Sequence, residues 1–170
     1  LVTGGIHMDG FCDVSDAMAS CTDKERKLEI MSDSHIGSFA VIKLCLYLLL
    51  QTAMFAEMQS FKTAAAAAIG YILSRSLSGL AAVTFKCAKK DGALQSFAKP
   101  AHKKITVAVL IMTAALSAAA MLFTNFISGG LALLAAVLIF AYYRNWSYKN
   151  FGGITGDTEG WFLQICELGM

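Results

Sequence analysis

A single proline in 170 residues, only 15% charged residues and no CxxC pair are what this sequence most conspicuously lacks. With so little proline there is no Pro-rich linker, and no Gly- or Ser-rich run replaces it, so the chain reads as one domain, residues 1–170. The low charge excludes an ordinary soluble surface, which carries roughly 25% charged residues. The five cysteines, Cys12, Cys21, Cys45, Cys87 and Cys166, are odd in number, and no disulfide framework follows from them. His7 and His35 lack the spacing to those cysteines that a structural zinc site needs, so small buried thiols are expected. No internal repeat is present.

What the chain has is apolar length. It is 56% hydrophobic, with a mean hydropathy of +0.58, and a crossing helix needs about 20 mostly apolar residues. GSFAVIKLCLYLLLQTAMF (37–55) and TAAAAAIGYILSRSLSGLAAVTF (63–85) each suffice. The run 105–143 is too long for one span and divides at TNFISGG into two, the second short. A fifth apolar segment opens around Trp161. The expected fold is an all-α, polytopic membrane bundle with about five spans. The chain begins LVTGG without a Met and stops inside an apolar segment. It reads as part of a longer membrane protein with further spans before Leu1.

Counting spans sorts the loops. Residues 1–36, 86–104 and 144–159 share one side, which holds Lys24, Arg26, Lys27, Lys86, Lys89, Lys90, Lys99, Lys103, Lys104, Arg144 and Lys149. The other side holds Lys62 alone. Positive-inside bias assigns the three long loops to the cytoplasm and the protein to the cell membrane. A net charge of +2 conceals that asymmetry.

On the basic side lies GGIHMDGFCDVSD, residues 4–16, with three acids and no lysine or arginine. Asp9, Asp13 and Asp16 are offset by four and three residues, so on a helix they share a face and repel one another. Met8, Phe11, Val14 and Met18 make the other faces apolar. Carboxylates so near a membrane core are costly unless they are paired or bind metal. Oxygen-only donors favour Mg²⁺ or Mn²⁺, and Mg²⁺ is typically completed by substrate phosphates. A second short helix, TDKERKLEIM, is expected to be capped by Thr22, with Glu25 closing a capping box.

Three further features share that side or face it. GGITGDTEG (152–160) offers glycines for close approach of an anion and Asp157 as another carboxylate, although a plain helix-capping turn reads the same way. Arg75 lies mid-span, where it would meet an anionic substrate group or pair with Glu167. The basic loop KCAKKDGALQSFAKPAHKK would attract phosphorylated substrate or lipid headgroups.

Taken together, TGGIHMDGFCDVSDAM, DKERKLEIMSDSHIGSFA and GGITGDTEGWFLQICEL resemble the motifs of the adenosylcobinamide-GDP ribazoletransferase (cobalamin synthase) family. Its pattern is TGGxHxDGxxDxxD, then LEIMxDSxxG, then GGxTGDxxG with a later Glu. The middle of the chain resembles the family only in hydropathy. His35 stands where the family usually has Arg, and 17–21 is less Gly-rich than usual. The resemblance implies Mg²⁺-dependent transfer in the lipid bilayer. Adenosylcobinamide-GDP and α-ribazole, or its 5′-phosphate, give adenosylcobalamin, or its phosphate, and GMP. It implies Asp9, Asp13 and Asp16 as metal ligands, with Asp33 and Asp157 as nearby ligands or a base. His7 is then a general base or an orienting partner beside Asp9. Gly10, Ser34, Arg75, Gly156 and Thr158 are implied as substrate-binding positions. Nucleic acid is not expected as a partner, and self-association is compatible with the pattern.

Two other classes compete. A CDP-alcohol phosphotransferase would show DGxxAR, but DGFCDV has no Arg, and a prenyltransferase needs a fuller second Asp motif than GDTEG. An ion-coupled transporter would use intramembrane Arg75 and Glu167, but it should show related halves.

Overall fold

The computed structural model describes residues 5–89, 94 and 102–170. Lys90, Lys99 and the stretch 90–101 of the basic loop, Leu94 apart, lie outside the described residues, as does TG at the head of the first motif. The named helices are α1 (Ile6–Ala19), α2 (Lys24–Ile30), α3 (Ser38–Ala56), α4 (Phe61–Thr84), α5 (Lys103–Thr124), α6 (Phe126–Phe151) and α7 (Gly156–Gly169). Among the described residues the only extended pairing is an isolated parallel bridge between Cys87 and Ile154.

Helices α3 to α6 are long and apolar enough to cross a membrane, with 19, 24, 22 and 26 residues. The expected fifth apolar segment lies in α7, which packs against α1, α6 and α4. Large apolar side chains dominate the exposed surface of the spans, as lipid requires: Leu46, Leu49, Ile111, Leu116, Leu134 and Val137 all face outward.

Two boundaries differ from the sequence reading. The second half of 105–143 is not short, and 144–151 is not loop: α6 runs on through Arg144 and Lys149 to Phe151. No glycine or proline lies between Leu131 and Phe151, and Tyr143, Ser147 and Phe151 repeat at four-residue spacing on its buried side. Gly152, at φ 77°, supplies the left-handed residue that ends it. The division between α5 and α6 falls at Asn125, whose Oδ1 accepts from the amides of Ile127 and Ser128, both at 3.1 Å. In α2 the cap is Asp23 rather than Thr22, accepting from Arg26 N at 2.9 Å. A carboxylate there answers both the orphan amide and the positive end of the helix.

Small and hydroxylated residues let the spans approach. Ser76 and Thr113 share a hydrogen bond of 3.0 Å between α4 and α5, and Gly79 faces Leu110. Tyr143 and Phe162 stack at 4.8 Å between α6 and α7, with neither ring exposed.

The spans alternate in direction, so the start of α3, the end of α4, the start of α5 and the end of α6 lie at one end of the bundle. The contacts agree. Lys27 Nζ donates to Asn150 Oδ1 at 3.0 Å, and Lys24 Nζ donates to the Tyr148 carbonyl at 3.3 Å. Ala88 N donates to the Ile154 carbonyl at 2.8 Å.

Candidate active site

The site is built on a close approach of α1 to α7. A Cβ placed on Gly10 would stand 2.7 Å from the Asp157 Cα and 2.8 Å from its carbonyl oxygen. One on Gly160 would stand 2.8 Å from the His7 carbonyl oxygen. Only glycine allows the two backbones to meet this closely. The contact brings Asp9 and Asp13, either side of Gly10, to the first turn of α7, where Asp157 sits.

Electrostatics show the result. Burial, then the carboxylates of Asp9, Asp157 and Asp16, push the Asp13 carboxyl up to about 7, with Lys89 alone opposing. Burial also raises Asp157, against the charge of Lys89. Neighbouring Cys12 is raised by burial and by the same acids. These acids therefore feel one another across two helices, and no arginine neutralises them. Asp9 opens on a groove of about 700 Å³ walled by Met8, Cys12, Ile36 and Leu44.

Asp16 is held differently. Its Oδ2 accepts from Gly37 N at 2.5 Å and its Oδ1 from Ala40 N at 2.9 Å, so the amides at the start of α3 stabilise its charge. Each oxygen keeps one free lone pair. Asp33 stands with Asp16 at a separate shallow groove, exposed, its Oδ1 2.6 Å from His35 Nδ1. That hydrogen bond holds the Asp33 carboxyl below its ordinary range and raises His35. Asp33 is thus a poor base and is not among the charges acting on Asp13.

His7 is two residues from Asp9, about 200° round a helix, so it does not share the aspartate face. It lies where burial and the charge of Arg75 lower its pKa, which leaves it neutral at pH 7. Arg75 itself makes the alternative contact weighed for it: Nη2 lies 3.0 Å from Glu167 Oε1. Ser74 Oγ donates to the same oxygen at 2.9 Å.

The remaining candidates divide. Gly156 and Ser34 are exposed, and a Cβ on Gly156 would meet open space. Thr158 is fully buried, and its hydroxyl serves a reciprocal capping box with Thr155 and a 3.1 Å contact to Tyr143. It shapes the α7 start rather than facing a ligand, and Gly10 likewise acts through packing.

Sequence reading passed over two residues. Glu159 is buried, bonded to Ser78 Oγ at 2.5 Å, with Oε1 unpartnered. Its place two residues after Asp157 in a capped turn was the available signal. Among the described residues Lys89 is the cation whose charge acts on both Asp13 and Asp157, and nothing in the sequence separates it from its neighbouring lysines.

Among the described residues no three acid, histidine or cysteine side chains converge closely enough to hold an ion as they stand. The donor chemistry nevertheless fits a hard divalent cation: the donors are all oxygen, and Asp13 is held up toward neutral pH by burial and then by the negative charge of Asp9, Asp157 and Asp16.

Fold and site together define a class: a polytopic α-helical membrane protein with an acidic cluster shared by two packed helices at one end of its bundle. The chain belongs to the cobalamin-5-phosphate synthase family, whose model matches residues 1–170. It is 42% identical over 168 residues to an adenosylcobinamide-GDP ribazoletransferase of Lachnoclostridium phytofermentans, covering 99% of this chain and 64% of that protein. A protein of the same name from Clostridium perfringens strain 13 is 35% identical, covering 99% and 67%. One from Listeria monocytogenes serovar 1/2a is 31% identical, covering 99% and 66%. The chain thus spans about two thirds of the length of these relatives. No solved structure matches it.

Proposed function

We propose that this chain carries the transfer site of an adenosylcobinamide-GDP ribazoletransferase, the activity named for its relatives. One observation supports this most. The Gly10–Asp157 approach joins the Asp segment to the GDT turn, and neither alone offers enough donors for a diphosphate–metal complex. In the reaction a ribazole hydroxyl oxygen bonds to a diphosphate phosphorus, the bond to GMP breaks, and the hydroxyl proton passes to a base.

Mg²⁺, or Mn²⁺ in its place, supplies charge neutralisation at the diphosphate when bound. Asp9 and Asp13 would hold it, and Asp16 keeps a free lone pair on each oxygen to add to them. Asp157, raised by burial, accepts the hydroxyl proton, since a carboxylate nearer neutrality is the better base. His7, on the other face of α1, has an orienting role at the α1–α7 contact. The acidic end of the bundle faces the cytoplasm, as eleven of the twelve Lys and Arg residues outside the spans read from sequence lie toward it. Cysteine labels at 156, where a Cβ meets open space, should then react from the cytoplasmic side only, and labels at 58 from outside only.

The test is GMP release by the full-length protein in proteoliposomes, given adenosylcobinamide-GDP, α-ribazole and Mg²⁺. Release that needs all three supports the reading. Release without the ribazole, or none at all, rejects it.

A further inference from the structure

The basic loop meets the GDT turn through main-chain bonds. Ala88 N donates to the Ile154 carbonyl at 2.8 Å, and Ile154 N donates to the Lys86 carbonyl at 2.9 Å. A Cβ on Gly153 would run into the Lys86 carbonyl oxygen, so glycine is required for this approach. The bridge delivers the next residue, Lys89, to the acidic cluster whatever its own side chain does.

The Lys89 ammonium is bonded to a neutral partner: Nζ donates to Ser32 Oγ at 2.7 Å. The ion pairs of the described residues are Arg26–Glu29, His35–Asp33 and Arg75–Glu167. Lys89 is in none of them. Its charge nevertheless reaches Asp13 and Asp157, lowering both against the burial that raises them. An ammonium has three donors, and Ser32 takes one. The bridge therefore sets Lys89 beside the turn that carries Asp157, and among the described residues two of its donors are uncommitted. A phosphate suits such a pairing, because metal-holding carboxylates can meet it on one side and an ammonium on the other.

We propose that Lys89 binds a phosphate oxygen of the diphosphate substrate, opposite the Asp9–Asp13–Asp157 cluster. This rests on the transferase reading and assigns the site its cationic half. The competing role is structural: a strap that holds the loop after α2 through Ser32.

The experiment compares Lys89→Gln, Lys89→Arg and Ser32→Ala in the full-length protein. The bridge is made by main chain, so none of these substitutions removes it. Losing a charge-assisted bond should raise KM for adenosylcobinamide-GDP about tenfold or more in Lys89→Gln. Lys89→Arg should recover most of that loss, and Ser32→Ala should leave KM unchanged. An unchanged KM in Lys89→Gln overturns the proposal, as does a Ser32→Ala variant with the same defect. GDP binding with Mg²⁺, measured by calorimetry, gives a readout that needs no turnover. Weaker binding by Lys89→Gln supports the phosphate contact even if GMP release fails, in which case only the transferase reading falls. Equal affinity, or no GDP binding by the wild type, overturns it.

Discussion

Asp16 Oδ2 accepts a hydrogen bond from Gly37 N at 2.5 Å, so a residue of α1 caps the start of α3 across a separation of 21 residues. A Cβ on Gly37 would stand 2.7 Å from that carboxylate, so the glycine and the acid fit as a pair. With the second bond, to Ala40 N at 2.9 Å, this explains how one of three like-charged acids is stabilised without any basic side chain.

Asp16→Ala should therefore act first on stability. A lost cap costs about 1–2 kcal/mol, and α3 is docked mainly through α1. Thermal unfolding in detergent should show a lower Tm, with faster proteolysis at 32–37. An unchanged Tm would mean that the cap contributes nothing.

Asp13 should behave in the opposite way. Its carboxyl is raised from 3.8 to about 7, chiefly by burial and then by its acidic neighbours. A raised folded-state pKa gives stability that is fully present below the unfolded value and lost as pH rises through the folded one. The metal-free protein should thus lose stability between about pH 4 and pH 8 at this group. Asp13→Asn should raise the metal-free Tm at pH 8, match the wild type only below about pH 4, and abolish transfer. A metal-free Asp13→Asn that is no more stable at pH 8 would contradict the acidic cluster.

Much of this was legible from residue order, and the failures have physical causes. Hydropathy located α3 and α4 within one or two residues, because lipid demands continuous apolar length. It misjudged α6, because the helix continues beyond its apolar part into 144–151, where Tyr143, Ser147 and Phe151 bury one side. The offsets of Asp9, Asp13 and Asp16 gave a shared face correctly. They could not tell which acid would meet helix amides, since that depends on how α3 returns beside α1. The resemblance implied Thr158 as a substrate position, and residue order alone did not show that its hydroxyl closes the capping box with Thr155.

Gly10→Ala tests the contact on which the site rests. The new Cβ would stand 2.7 Å from the Asp157 Cα, where the neighbour is backbone and cannot turn aside. Separation of α1 from α7 should lower transfer by at least about tenfold, since small misplacements of reacting groups are that costly. Alanine favours helix over glycine by about 1 kcal/mol, so circular dichroism should show helicity retained. Full activity in Gly10→Ala would show that Asp157 need not stay against α1.

Arg75 and Glu167 permit a test that separates a structural pair from a substrate contact. Nη2 and Oε1 are 3.0 Å apart, the Glu167 side chain is 4% exposed and that of Arg75 41%. Removing the arginine alone strands a buried carboxylate, at a cost of about 3–5 kcal/mol. Arg75→Met should accordingly lower the Tm sharply, and Arg75→Met with Glu167→Gln should restore most of it. Arg75 is nearly half exposed and keeps donors beyond the one on Glu167, which leaves it able to meet an anionic substrate group as well. The double variant decides between the roles. Restored stability with normal transfer makes the pair purely structural. Restored stability with a raised KM for adenosylcobinamide-GDP gives Arg75 a substrate contact. If the double variant is no more stable than Arg75→Met, the two side chains are not coupled.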